Sequence, residues 1–233
     1  MHRYSSIAAR HYAAYRPPLH RPIVQAALDK MRFSNALDVG CGVGHSCEAL
    51  LPFCDRVIGI DPSPQMICSA RNHRRISYHL GSGADLPDCD DIDCVSVAGA
   101  LPYMDKAGFV DQLKRVCTPS AVVLIYDFKV ELDDILSALH LPAASPESRY
   151  NHATNLSDTA GIETLKTGCR RISFLAKPEE LAHLLMTNEA RVRRLADHFG
   201  QDDPKDALTQ ATAALAPLFE LRAMTWTARH RMI

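Results

Sequence analysis

The sequence predicts an α/β protein: a mostly parallel sheet with helices on both faces, a terminal antiparallel strand and a helical insertion. Three observations carry this expectation. Short apolar runs alternate with helical periods over residues 36–126. Those runs are mostly apolar, as in parallel strands buried on both faces. After residue 128 the rhythm gives way to mostly helical patterns, with strands expected only at 171–175 and in the final stretch, 220–230.

Each element has its own signal. Residues 4–15 are Ala-rich and helical in composition, and Arg16-Pro17-Pro18 ends them because proline blocks helix continuation. Ile23, Ala26, Ala27 and Met31 recur at a helical period. Strands are expected at 36–39, 56–60, 76–80, 93–97 and 121–126, with helices at 47–51, 64–71 and 109–116 between them. Ser63 is a good cap for the second of these helices, with Pro64 at its first position. Beyond 128, a helix is expected at 131–140, a polar stretch at 141–158 and a strand at 171–175. Helices at 178–186, 188–199 and 204–218 follow. The organisation is one domain over 1–233, with residues 1–30 as an N-terminal helical cover and 130–218 as a helical lid insertion.

Composition narrows the class. The chain has 233 residues, 47% hydrophobic and 23% charged, which suits a globular α/β domain. Basic and acidic residues number 26 and 27, a net charge of −1 that argues against a nucleic-acid partner. None of the eight cysteines forms a C-x-x-C pair, so they are expected to be reduced and mostly buried. The start lacks the apolar run of a signal peptide, and no apolar stretch reaches membrane-spanning length. A cytoplasmic location is expected. Oligomeric state is not encoded in any of these patterns.

The strongest motif is Leu37-Asp38-Val39-Gly40-Cys41-Gly42-Val43-Gly44, a strand entering a glycine-rich turn that opens a helix. Glycines there permit unusual dihedrals and close approach of a ligand to the main chain. A dinucleotide fingerprint needs a third glycine where this chain has His45, whose side chain hinders pyrophosphate approach. The G-x-G-x-G spacing suits a ligand without a pyrophosphate. Asp61 ends the second strand, 21 residues after Gly40, where a carboxylate can accept from ribose hydroxyls. Its alternative role is to cap the following helix.

With VIGIDPSPQM, GSGADLP and DCVSVAGALPYMD following in order, the chain resembles class I S-adenosylmethionine-dependent methyltransferases. The closest look is to the small-molecule branch of ubiquinone-type and trans-aconitate-type enzymes. Tyr12-x-x-x-Arg16-Pro17 is similar to that branch's entry segment, and the likeness covers residues 4–128 well and then thins. The resemblance implies a Rossmann-like fold, S-adenosylmethionine as methyl donor and S-adenosylhomocysteine as product. It places Gly40, Gly42 and Gly44 at the methionine part, Asp38 toward its ammonium, and Asp61 on the ribose. Pro62 and Met66 would flank the adenine, with Ser82 and Gly83 at the adenine-reading position. That pair departs from the family's Asp-Ala or Ser-Ala, so Asp85 is an alternative. Ala98 and Gly99 would border the methionine tail, and Tyr12 and Arg16 its carboxylate.

The expected reaction is metal-independent in-line displacement onto a small-molecule acceptor. Family members often carry His-Trp where this chain has Pro102-Tyr103. His11 and Tyr103 are the candidate polar groups at the acceptor, with His140, Tyr150 and His152 as further candidates. An RNA-modifying methyltransferase and a non-catalytic cofactor-binding regulator are the competing readings.

Overall fold

A computed structural model describes residues 6–141 and 150–233. Tyr4 and residues 142–149, parts of the expected N-terminal cover and polar stretch, lie outside the described residues. The chain divides into two compact units. One comprises Met1–Pro18, Val130–Arg149 and Arg171–Met224; the other comprises Leu19–Lys129, Tyr150–Arg170 and Thr225–Ile233.

The larger unit holds the parallel ladder. Strands β1 (Phe33–Val39), β2 (Cys54–Asp61), β3 (Ile76–Leu80), β4 (Ile92–Ala98) and β5 (Cys117–Glu131) pair in parallel, β1 lying between β2 and β4. With β6 (Ile162–Ala176) and β7 (Phe219–Met232) the order is β3-β2-β1-β4-β5-β7-β6. Side-chain bonds fix the direction of the last pair. Thr225 Oγ1 donates to the Arg170 carbonyl at 2.9 Å, Thr227 Oγ1 donates to that of Gly168 at 3.4 Å, and Thr164 Oγ1 lies 3.1 Å from His230 Nδ1. As one number rises the other falls, which is antiparallel pairing. The sheet is thus mostly parallel with an antiparallel terminal strand.

Helices flank the strands, one before β1 and the others between later strands. They are α2 (His20–Leu28), α3 (His45–Leu50), α4 (Pro64–Cys68) and α5 (Lys106–Val116), numbered after the N-terminal α1 (Ser6–Ala14). Phe109, Val110, Leu113 and Val116 of α5 bury one face against Leu37, Val39, Val95, Val97, Val123 and Ile125 of the central strands. Each such side chain stabilises the fold by roughly 1.5–3 kcal/mol relative to exposure. All eight cysteines are free; Cys41, Cys47, Cys54 and Cys94 are buried, while Cys68 and Cys169 are exposed.

The smaller unit holds α1, α6 (Asp133–Ala138), α7 (Pro178–Leu185), α8 (Glu189–Phe199) and α9 (Lys205–Leu215). The backbone N–H of Lys177 donates to Glu180 Oε2 at 2.7 Å at the start of α7, which buries Leu181, Ala182, Leu184 and Leu185. Asn188 caps α8 through Arg191 N at 3.0 Å, and Gly200, at φ 64°, ends it. Among the described residues, no helix is long and apolar enough to cross a membrane.

Boundaries differ from expectation where pairing, rather than burial, makes the strand. Strand β5 was expected only over its apolar run, 121–126; the flanking residues are half-exposed or exposed and are held by neighbours. Strand β6 is nine residues longer at its start than the expected 171–175, because residues 163–170 are exposed and carry no apolar signal. The range 130–218 therefore contains a long strand, and its residues 150–170 are counted with the sheet unit. Of the segment 1–30, α2 also belongs to that unit, packed on α3.

Candidate functional site

The glycine turn begins where β1 stops. Gly40, Gly42 and Gly44 all hold positive φ, at 76°, 55° and 92°, a region that disfavours other residues. Two of the three are also packed. A Cβ on Gly40 would lie 2.4 Å from Ala100 Cβ, and one on Gly44 would lie 2.1 Å from the Tyr78 hydroxyl. Gly42 differs, because a Cβ there meets nothing within 4 Å. The turn is pinned from below by the Ile60 carbonyl, which accepts from Gly40 N at 2.8 Å and Cys41 N at 2.9 Å.

Two carboxylates flank the turn. Asp61 Oδ2 accepts from Gly42 N at 2.9 Å, and Oδ1 accepts from Ser63 N at 2.9 Å. Ser63 itself caps α4, accepting from Met66 N at 3.4 Å, so Asp61 ties that helix's approach to the glycine turn. Asp38 is fully buried. Its Oδ2 accepts from Ser46 Oγ at 2.5 Å and Cys47 Sγ at 3.2 Å. Its Oδ1 has no hydrogen-bond partner, nor does Ser96 Oγ on the register neighbour in β4. Burial pushes the Asp38 carboxyl up, against the neighbouring Ser46, Cys47 and Ser96 side chains, which lower it. A buried carboxylate with a spare oxygen is costly unless a cation or donor reaches it.

The remaining cofactor candidates of this unit sit after β2, β3 and β4. Pro62 is exposed and Met66 half-buried. Ser82 closes a tight turn with Asp85, their backbones exchanging bonds of 3.4 and 3.1 Å. Gly83 is buried, and a Cβ there would meet Met104 Sδ at 2.7 Å, so packing against the core accounts for that glycine. Gly99, at φ 68°, follows Ala98 and donates to the Tyr126 carbonyl at 2.9 Å. Tyr103 is 62% exposed.

Three candidates lie in the smaller unit: His11, Tyr12 and Arg16. The Arg16 guanidinium carbon stands 4.0 Å from the Tyr12 ring centre. His11 is buried, its Nδ1 2.8 Å from His183 Nδ1 and its Nε2 3.1 Å from Asp203 Oδ1. Burial, reinforced by the charge of His11, lowers the His183 imidazole. His11 thus has both ring nitrogens engaged within its own unit.

A second polar cluster gathers at the end of the sheet unit's β5 segment. Asp127 Oδ1 accepts from Phe128 N at 2.7 Å, and Oδ2 lies 2.8 Å from His152 Nδ1. The Tyr150 hydroxyl stands 2.6 Å from the Gly99 carbonyl and 2.9 Å from Asp127 Oδ2, so its one proton serves the two acceptors in turn. The His152 ring stacks on Trp226, centroids 5.1 Å apart and planes 13° apart. Sequence reasoning named Tyr150 and His152 but missed Asp127 and Trp226. The one available signal was the place of Asp127, directly after the apolar run of the fifth strand.

Residues 37–125 match the family model described as "Methyltransferase domain". Over this segment, 89 of its 233 residues, the chain is similar to that family. Nodulation protein S of Sinorhizobium fredii is 33% identical over 101 residues, 42% of this chain and 47% of that protein. Norajmaline N-methyltransferase of Rauvolfia serpentina is 26% identical over 204 residues, 82% of this chain and 61% of that one. A solved structure assigned as a type II methyltransferase from Anaeromyxobacter dehalogenans superposes with a TM-score of 0.60 at 22% identity, covering 93% of this chain and 97% of its own. The chain spans about half the length of the curated relatives it matches first, 47% in each. The match to the methyltransferase domain takes in every candidate from Asp38 to Gly99 and stops just before Asp127. His11, Tyr12 and Arg16 fall outside it, as do Tyr150, His152 and Trp226.

Proposed function

We propose that the chain transfers a methyl group from S-adenosylmethionine to a small-molecule acceptor, without a metal. The observation that carries this reading is the pairing of an open Gly42 face with Asp61 on one side and the spare buried oxygen of Asp38 on the other. These residues fit the cofactor. Asp61 uses one lone pair on each oxygen for Gly42 and Ser63, and a carboxylate has about four acceptor sites, which leaves two for ribose hydroxyls. Asp38 Oδ1 would receive the ammonium, directly or through water, and so offset its desolvation. Gly40, Gly42 and Gly44 would carry the methionine part, Ala98 and Gly99 its tail, and Tyr12 and Arg16 its carboxylate. Pro62 and Met66 would flank the adenine, with Ser82 and Gly83 at its edge.

When bound, the cofactor supplies an electrophilic methyl carbon on its sulfonium. The chain's own task is to hold the acceptor in line with that carbon and to exclude water. Residues 1–18 and the helices within 130–218 are assigned the covering role in this reading. Hydrogen exchange should then show added protection in both on adding S-adenosylhomocysteine, and protection confined to the glycine turn and Asp61 would remove that role. A cytoplasmic site of action suits eight free cysteines. Calorimetry tests the reading: S-adenosylhomocysteine and S-adenosylmethionine bind and NAD does not. NAD binding in preference to either would overturn it.

A further inference from the structure

We propose that His152, oriented by Asp127, is the proton acceptor for a planar aromatic hydroxyl, and that the rings of Tyr103, Tyr150, His152 and Trp226 form the platform that receives it. This deepens the methyltransferase reading and rests on it. Proton acceptance needs an imidazole with one nitrogen protonated and held and the other bare and accessible. His152 meets each condition. Its Nδ1 faces Asp127 Oδ2 at 2.8 Å, and a carboxylate oxygen there can only accept, so the proton sits on Nδ1. Among the described residues Nε2 makes no hydrogen bond. The side chain keeps 28% of its surface exposed, so an acceptor can reach it. Asp127 is fixed in turn by Phe128 N and the Tyr150 hydroxyl, and stacking on Trp226 sets the ring plane.

Position and shape supply the rest. Tyr150 reaches from Asp127 to the carbonyl of Gly99, the residue assigned to the methionine tail, which brings the dyad to the reacting end of the cofactor. The four rings run in series, with centroids 5.6 Å apart from Tyr103 to Tyr150, 4.7 Å to His152 and 5.1 Å to Trp226. A series of ring faces and edges favours a flat aromatic partner through offset stacking and edge contacts. Beside His152 and Trp226 opens a cavity of about 250 Å³ with Thr154, Asn155, Thr167 and Cys169 in its wall. It has room for a single ring with small substituents.

In the step, His152 Nε2 takes the hydroxyl proton. The acceptor oxygen's electron pair forms the bond to the methyl carbon, and the pair of the broken carbon–sulfur bond stays on sulfur. The sulfonium charge is thereby lost while His152 becomes an imidazolium, which Asp127 stabilises until the proton passes to water. A neutral hydroxyl is the acceptor that gains most from such a base, because it is a poor nucleophile until its proton leaves.

The experiment uses the full chain loaded with S-adenosylhomocysteine, and the single tryptophan makes emission a reporter of Trp226 alone. Catechol and phenol should quench that emission saturably, and cyclohexanol should not. Nitrogen-15 histidine spectra should show His152 with its proton on Nδ1 and a bare Nε2, and Asp127→Asn should erode that preference. In turnover with S-adenosylmethionine and a panel of phenols, His152→Gln should lower kcat about 100-fold or more with KM little changed. S-adenosylhomocysteine affinity, measured by calorimetry, should be the same in His152→Gln as in the parent chain. If the parent chain does not bind S-adenosylhomocysteine, the methyltransferase reading itself falls. If it binds, the inference alone is overturned by any of three results: His152 protonated on Nε2, equal quenching by cyclohexanol and phenol, or His152→Gln retaining the parent kcat.

Discussion

The glycine turn and the Asp127 cluster stand at the ends of strands of one sheet, yet they are assembled in opposite ways. The turn is made of neighbours in sequence, residues 38–44, joined by one distant carboxylate, Asp61, and it works largely through backbone groups. The cluster draws Gly99, Asp127, Tyr150, His152 and Trp226 from across more than half the chain and works through side chains. A ligand shared by many proteins can be held by a turn that any sequence with the right glycines can form. A ligand particular to one protein is met by side chains that only its own long connections bring together. The extent of the family match follows the same line, ending before Asp127.

Within the turn, the glycines should separate by what stands in front of them. Gly40→Ala combines a positive φ with a Cβ 2.4 Å from Ala100, so it should lower unfolding stability by roughly 3 kcal/mol or more. Gly42→Ala faces open space and should cost only about 1–2 kcal/mol, the strain of the left-handed backbone. Its larger effect should be on S-adenosylhomocysteine binding. Urea unfolding and calorimetry on the two variants read both quantities. Equal stability losses would mean that the turn relaxes freely and that its geometry is not set by packing.

Asp61→Ala comes next. Loss of a charged partner to the ribose should weaken S-adenosylhomocysteine binding by about 2–4 kcal/mol. An unchanged affinity would return Asp61 to the work of joining Gly42 to Ser63.

The most gradual expected effect, spread over a range of pH, lies near the side-chain cluster. His230 on β7 is buried, its Nε2 receives Leu156 N at 3.4 Å, and burial lowers its imidazole from 6.5 to about 4. Between those values the unfolded chain binds the proton and the native one does not. Stability present above pH 6.5 is therefore lost as pH falls toward 4, by at most about 1.4 kcal/mol per unit. Denaturant unfolding across this range should show the loss, and His230→Gln should flatten it. A slope unaffected by that substitution would place the acid sensitivity elsewhere.

What the sequence revealed follows the same division. The parallel strands were legible because burial on both faces forces apolar-rich runs, continuous at Val122–Ile125 and broken only by buried Asp38 and Ser96 at Leu37–Val39 and Val95–Val97. The glycine turn was legible because its backbone demands particular residues. Strand β6 was read too short because residues 163–170 are exposed, so pairing leaves no hydrophobic trace. Asp127 was missed because a lone acidic residue after a strand gains meaning only from His152, Tyr150 and Phe128 N around it. His11 attracted attention as a polar residue near the start, and only the fold shows it held between His183 and Asp203.

A crystal structure of the chain with S-adenosylhomocysteine bound tests the central claim most directly. The account predicts the ribose hydroxyls on Asp61, the amino group on the side of Asp38 and the sulfur beside Gly99. It also predicts that the space in front of that sulfur is bounded by Tyr150 and His152. A ligand seated away from the glycine turn, or a sulfur facing away from Gly99 with no open space before it, would contradict the account.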